Sequence, residues 1–229
     1  MALQGRAALA MWWDMASDAL DEFAHWHAHE HFPERLGIPG FRRASRWVCA
    51  QGGEGIFVLY ELESHAVLGS APYLARLNAP SPWSQRMMPH HRNMVRSQCH
   101  VLESVGGCTA QQMLTVRLAP APGQAEALRA ALRALGEQWA QQSGGVGLHL
   151  LRHEAPVIGA TEEQRIRGLS DQVADWVLLV VGYDAPALQQ WAREALSDSA
   201  LARMGTAAQV TRSSYALAYA AVPEDVTRF

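Results

Sequence analysis

Lysine is absent from the 229 residues, so arginine supplies all 19 basic side chains. Set against 22 acidic residues, this leaves a formal net charge of −3 with no dense basic block. That balance argues against an extended nucleic-acid surface and leaves room only for a local arginine pocket. Cysteine is scarce: Cys49, Cys99 and Cys108 are odd in number, widely spaced and contain no C-x-x-C. That pattern is unlike a disulfide framework, and reduced thiols in a cytosolic protein are the simplest reading. No stretch reaches the roughly 18 unbroken apolar residues of a membrane span. The short apolar run near the N-terminus meets Asp14 and Asp18 directly, unlike a signal peptide. Serine-hydrolase, P-loop, dinucleotide and kinase signatures are missing as well. The expectation is a soluble, cytoplasmic protein.

Histidine is what the chain has in one place. Four of its ten histidines fall between Phe23 and Phe41, ahead of an abrupt proline. Wound as a helix at about 100° per residue, Leu20, Phe23, His27 and His31 share one face, with Trp26 and Glu30 along its edge. His25 and His29 point the other way, beside Asp18, Asp21 and Glu22. Pro33 disfavours helical geometry at Phe32, which predicts His31 at or near the helix C-terminus. There the unpaired carbonyls would favour a protonated imidazole.

Taken in order, Arg6 to Trp13 reads as a buried strand and Ser17 to about His31 as the amphipathic helix. Phe41 to Ala50 and Ile56 to Leu62 read as a hairpin across a glycine-rich turn. His65 to Leu77 reads as a second helix, Pro80 to Arg92 as a loop, and Met94 to Glu103 as a fourth strand. Ser104 to Cys108 looks like a linker. The order then restarts: strand Gln112–Leu118, helix Gln124–Gln142, strand Gly145–Glu154, a polar excursion Ala155–Gln172, strand Trp176–Val181, a helix from Asp184 to about Ala202, and strand Gln209–Ala221. Weak identities recur in register, Gly40-Phe-Arg-Arg with Gly147-Leu-His-Leu and Val95-Arg-Ser-Gln with Thr211-Arg-Ser-Ser. They suggest an internal duplication of a unit of about 100 residues.

A β-α-β-β-α-β order specifies a ferredoxin-like unit, an antiparallel sheet with both helices on one face. Ile56, Val58, Tyr60 and Leu62 alternate with Phe57 and Leu59, so both faces of that strand are apolar. A second sheet covering the face that the helices leave bare explains this. The predicted fold class is therefore α+β: two tandem ferredoxin-like units, residues 1–104 and 109–229, whose antiparallel sheets pack face to face as an intrachain α+β barrel. The expected assembly is a monomer with an internal pseudo-dimer, with further homodimerisation left open.

Trp26-His-Ala-His-Glu-His31-Phe-Pro-Glu-Arg35, Ile38-Pro-Gly-Phe41, Leu59-Tyr-Glu-Leu62 and Ser70-Ala-Pro-Tyr-Leu74 resemble the dimeric α+β barrel superfamily, in particular its EthD-like branch and related uncharacterised bacterial proteins. In those relatives a helix ends in a Trp/Tyr-x-x-(acid)-His-x-Pro pattern. The resemblance covers roughly residues 5–103 and implies a ferredoxin-like unit that pairs sheet to sheet. Its activities span lactone isomerases, polyketide cyclases and dehydratases, monooxygenases and haem-handling proteins, so the fold alone selects none. The second half departs from the motif: matching Gly40 to Gly147 puts Gln138 at the position of His31 and Ala134 at that of His27, and Val180 falls at the position of Tyr60. One site, in the first half, is expected, with a degenerate second half.

Within that site His31 is the candidate acid/base, with Tyr60 and Arg96 positioning an oxygen of the substrate. His27, Trp83, His100 and Trp12 are candidate ligand contacts. Each has a purely structural alternative: His31 as a cap of its own helix, His27 as a core histidine, the tryptophans as packing. His27-x-x-x-His31 also has the spacing of two zinc ligands, to be completed by Glu30 or by His90 and His91. Without H-E-x-x-H or a nearby cysteine, no metal is expected. Arg35, Arg42, Arg43 and Arg46 read as a solvated edge paired with Glu54 or Glu61. The functional expectation is a cofactor-independent isomerase, cyclase or dehydratase-type proton transfer on a small apolar carbonyl or aromatic compound. A non-catalytic binder of a small hydrophobic ligand and a haem-binding protein are the alternatives, and no nucleic-acid or membrane partner is expected.

Overall fold

Alternating apolar residues along eight segments give eight strands: β1 Ala7–Met15, β2 Phe41–Cys49, β3 Gly55–Leu62, β4 His91–Gly106, β5 Gln112–Leu118, β6 Gly145–His153, β7 Trp176–Gly182 and β8 Thr211–Ala221. The structure is a computed structural model and describes residues 2–53, 55–168 and 171–226. All strand pairs are antiparallel and close into a barrel in the order β1-β3-β2-β8-β5-β7-β6-β4. Within it β4-β1-β3-β2 and β8-β5-β7-β6 are two ferredoxin-like sheets, joined at both edges by β2 to β8 and β4 to β6. Closure leaves no sheet edge unpaired, which removes the templating hazard each half would carry alone.

Burial follows the pleat. One set of side chains, including Trp12, Trp47, Phe57, Leu59, Cys99, Met113, Leu179 and Tyr215, fills the barrel interior. The alternate set on the first sheet, Leu9, Met11, Trp13, Ile56, Val58 and Tyr60, packs outward against that half's helices. These are α1 Leu20–Trp26, α2 Phe32–Leu36, α3 Ala71–Asn78 and α4 Pro82–Met87. A third cluster packs the second sheet under α5 Ala125–Trp139, α7 Ala185–Ala195 and α8 Asp198–Met204, while α6 Glu162–Ile166 lies in the excursion between β6 and β7.

The two halves correspond strand by strand. Tyr60 pairs with Leu9 as Val180 pairs with Leu114, and Arg96 pairs with Met11 as Arg212 pairs with Val116. The turn glycines correspond as Gly40 and Gly144, three residues from the alignment drawn on Gly147. Both have positive φ, and a Cβ at Gly40 would strike Val67 at 2.4 Å. Carried along this register, His27 and His31 fall near Ala131 and Leu135, so the second half still lacks both histidines.

Four sequence expectations are corrected. The helix does not end at His31: α1 passes through a π turn, His27–His31, into α2, with Phe32 N–H bonded to the His27 carbonyl five residues back. The wider π turn gives Pro33 room, so the helix runs on past the proline. Ser104 to Gly106 is not linker but the end of β4, which leaves β1 and continues along β6. The second-half helix from Asp184 is two helices, broken at Leu196–Ser197, where Ser197 caps α8. Finally, β2 is not a solvated edge. Of its arginines only Arg42 is exposed, against Glu63 at 3.0 Å. Arg43 is buried in a two-bonded pair with Glu61 (2.7 and 2.8 Å), and Arg46 donates to the Ala24 carbonyl at 2.9 Å. Glu54 lies outside the described residues.

Candidate functional site

Between the outer face of the first sheet and the helix with the π turn lies a small cavity of about 40 Å³. The helix contributes Trp26, His27, His31 and Arg35, each turning its side chain toward the sheet. Inserting one extra residue per turn at the π segment sets His27 and His31 nearly in line, with ring centroids 5.2 Å apart and planes 25° from parallel. Trp26 lies 4.5 Å from His31, and Phe32 4.3 Å from His27. From the sheet, β1 supplies Trp13, β3 supplies Tyr60 and β4 supplies His91 and Arg96. Tyr73 comes from α3, and Glu163 and Arg167 reach in from the second half.

Ionic contacts tie these pieces together. Arg35 and Glu163 form a buried ion pair across the two halves. Arg167 sits 3.9 Å from the other Glu163 oxygen and 2.9 Å from Asp171. Arg96 donates to the Tyr73 hydroxyl at 2.9 Å and meets no carboxylate among the described residues. Burial drives the pKa of His27 and His31 well below the usual imidazole value, and Arg46 and Arg35, respectively, add to it. Burial likewise pushes His91 down to about 3. All three imidazoles are therefore neutral at pH 7, the opposite of the protonated helix-end histidine expected of His31. Burial also raises the Tyr60 phenol, which keeps its proton.

Buried polar atoms ordinarily find partners. Seven described side-chain atoms do not, and six of them belong to residues that line this cavity: Trp13 Nε1, His27 Nδ1, His31 Nδ1, Arg35 Nη1, Tyr60 Oη and Arg167 Nε. Such a concentration leaves the cavity rich in hydrogen-bonding capacity that the protein itself does not use. Chemically, a neutral imidazole next to a protonated phenol and guanidinium groups can accept a proton while an adjacent oxygen is held.

Of the residues singled out in the sequence, His27, His31, Tyr60 and Arg96 meet at the cavity. Trp12, Trp83 and His100 do not. Trp12 is one residue out of phase with Trp13 and points into the barrel, its Nε1 donating to Thr115 at 3.2 Å. Trp83 lies over the outer side of the helix, donating to Glu22 at 3.0 Å beside His25. His100 is on the face of Arg96 but farther along β4, where it stacks on His65 at 4.3 Å near Glu154. Arg35, Trp13, Tyr73, His91, Glu163 and Arg167 line the cavity as well, beside Trp26 and the apolar Leu9, Met11, Leu77, Met88 and Met94. Arg35 follows His31 by four residues, so the helical period names it once the helix is carried past Pro33. Nothing in the sequence ties Glu163 and Arg167 to a pocket whose other walls all come from the first half.

The zinc reading finds no support in the geometry. The His27 and His31 rings stack rather than converge, and Glu30 instead accepts bonds from Trp26, Ser81 and Ser84. No group of three His, Cys, Asp or Glu side chains among the described residues is arranged to hold a metal ion. Likewise, no helix is long and apolar enough to cross a membrane among them.

No family model matches the sequence, and no curated protein matches it. Solved structures do share its fold. An anthrone oxidase-like protein superposes with a TM-score of 0.66 at 11% identity, covering 97% of this chain and 96% of its own. A provisionally assigned monooxygenase of Fusobacterium nucleatum gives 0.61 at 9% identity over 95% of each chain. One of Lactobacillus acidophilus gives 0.62 at 9% identity, over 95% and 97%. At these identities the likeness is one of fold: the chain has the dimeric α+β barrel architecture, closed within a single polypeptide.

Proposed function

We propose that this chain is an enzyme that binds a small oxygen-bearing compound in the first-half cavity and transfers a proton on it. His31 is the acid/base, Tyr60 and Arg96 hold the oxygen where charge develops, and His27 packs beside the reacting group. The observation that carries this reading is the convergence on one cavity of six residues with partnerless buried polar atoms, next to imidazoles that burial keeps neutral. Structural packing alone would leave no reason to concentrate that cost in one place. The reaction class is isomerase, cyclase or dehydratase-like, on a small apolar carbonyl or aromatic compound.

Haem does not fit here. A space of about 40 Å³ admits a few water-sized groups, and a porphyrin would have to part His27 and His31 from the sheet. Membership of the EthD-like branch, origin by tandem duplication of units 1–104 and 109–229, a cytoplasmic setting and a monomeric pseudo-dimer belong to the same proposal. The His/Pro motif supports the first of these and the repeated 4-1-3-2 strand order the second.

The test is His31→Gln, which keeps size and polarity but cannot take a proton. Turnover of a responsive lactone or ketone is expected to fall by at least 100-fold with ligand affinity within about threefold. Unchanged turnover would remove the acid/base role.

A further inference from the structure

Four of the cavity's six unused polar atoms share one character. Trp13 Nε1, Arg35 Nη1 and Arg167 Nε can only donate, and Tyr60 carries a phenolic proton. Acceptors are fewer: the neutral His27 and His31 rings each offer one nitrogen lone pair, and Glu163, the one carboxylate in the described lining, is already engaged by Arg35. The charges do not cancel either. Arg35, Arg96 and Arg167 bring three positive charges, while Glu163 and the Asp171 behind Arg167 bring two negative ones. Arg35 and Arg167 flank the same Glu163 carboxylate, so two guanidinium groups, each with an unpartnered nitrogen, share one anion at the cavity wall. A guanidinium left unmatched in a dry site is costly, and a bound anion relieves it with charge-assisted bonds.

We propose that the cavity takes its ligand as a monoanion, a small carboxylate seated against Arg35, Arg96 and Arg167. This rests on the reading of the cavity as the binding site, and it narrows the substrate to carbonyl compounds that carry a carboxylate. The carboxylate supplies the lone pairs that the donors lack and cancels the excess positive charge. The apolar remainder of the ligand lies along Leu9, Met11 and Leu77, which line the rest of the space. About 40 Å³ holds on the order of three water-sized groups, which sets the scale of the bound carboxylate end at formate or acetate.

Titration with ¹³C-acetate, followed by NMR at constant ionic strength, tests this, with ¹³C-acetamide as the neutral match in shape. Acetate is expected to saturate one site, and acetamide to bind at least tenfold more weakly. Arg96→Gln and Arg167→Gln are each expected to weaken acetate by tenfold or more without changing acetamide, with wild-type melting as the check on folding. Equal binding of acetate and acetamide, no saturable binding of acetate or formate, or folded arginine variants with wild-type affinity would each overturn the proposal. His31→Gln run alongside separates the two readings. If acetate binds wild type and His31→Gln alike and no carbonyl substrate turns over, the anion site stands and the acid/base role falls. If neutral carbonyl compounds turn over while acetate never binds, the anion site falls and the acid/base role stands.

Discussion

His27, His31 and His91 are neutral because the protein gives their charged forms neither water nor a carboxylate. Their pKa values are depressed in the folded state, so the unfolded chain binds protons that the folded chain refuses. Above about pH 6.5 both states are neutral and this term vanishes. As pH falls below that value, stability is lost at about 1.4 kcal/mol per pH unit for each histidine, down to its folded pKa, about 3 for His91. His149, buried between Ser104 and the Gly107 carbonyl and pushed down to about 4, adds to the loss. Urea midpoints are therefore expected to be flat from pH 8 to 7 and to drop steeply between pH 6.5 and 5. His91→Gln should remove one proton from that slope. A midpoint that holds steady to pH 5 would mean these histidines are charged or hydrated in the fold.

At the scale of elements, the strands were legible and the first helix was only half so. Ile56–Leu62 declares itself by alternation, and Gln112–Leu118 was read to the residue. Period-2 burial is a local rule that the chain obeys wherever both sheet faces are covered. The 20–36 helix misleads because Pro33 is a general stop signal, and only a π turn, a tertiary accommodation, carries the chain past it. That accommodation adds Arg35 to the inner face and so connects the helix to α6. The Arg35–Glu163 pair is buried on both sides, with 4% and 7% of each side chain exposed, so removing one partner strands the other. Glu163→Gln should cost about 3–5 kcal/mol, a melting shift on the order of 6–20 °C in a chain of this size. Replacing both partners, Arg35→Met with Glu163→Leu, should recover most of that loss. If the single and double variants melt together, the pair is not what holds α6 over the cavity.

For the whole molecule, the consequence of closing the barrel within one chain is asymmetry. A dimer of identical halves would carry two equal sites, whereas here the second half keeps Arg212 at the position of Arg96 and loses the histidines, with Val180 at the position of Tyr60. Its cavity between α7 and the sheet is a wider groove of about 470 Å³ around Leu114, Leu188 and Arg212, with no imidazole in its lining. The first half cannot replace it, because Glu163 and Arg167 come from the second half. Nor can either half bury its own inner face: Trp12, Trp47 and Phe57 are covered by Met113, Val177, Leu179 and Tyr215 across the barrel. Residues 1–104 produced alone would expose that aromatic surface together with the unpaired edges of β2 and β4, a combination that drives strand-to-strand association. Light scattering should find this fragment as a dimer or larger, never as a stable monomer. Mixing it with 109–229 should restore a one-to-one complex with the melting profile of the intact chain. A monomeric, cooperatively folded 1–104 fragment would show that the two units are independent domains, and the cavity would then have to be explained without its second-half wall.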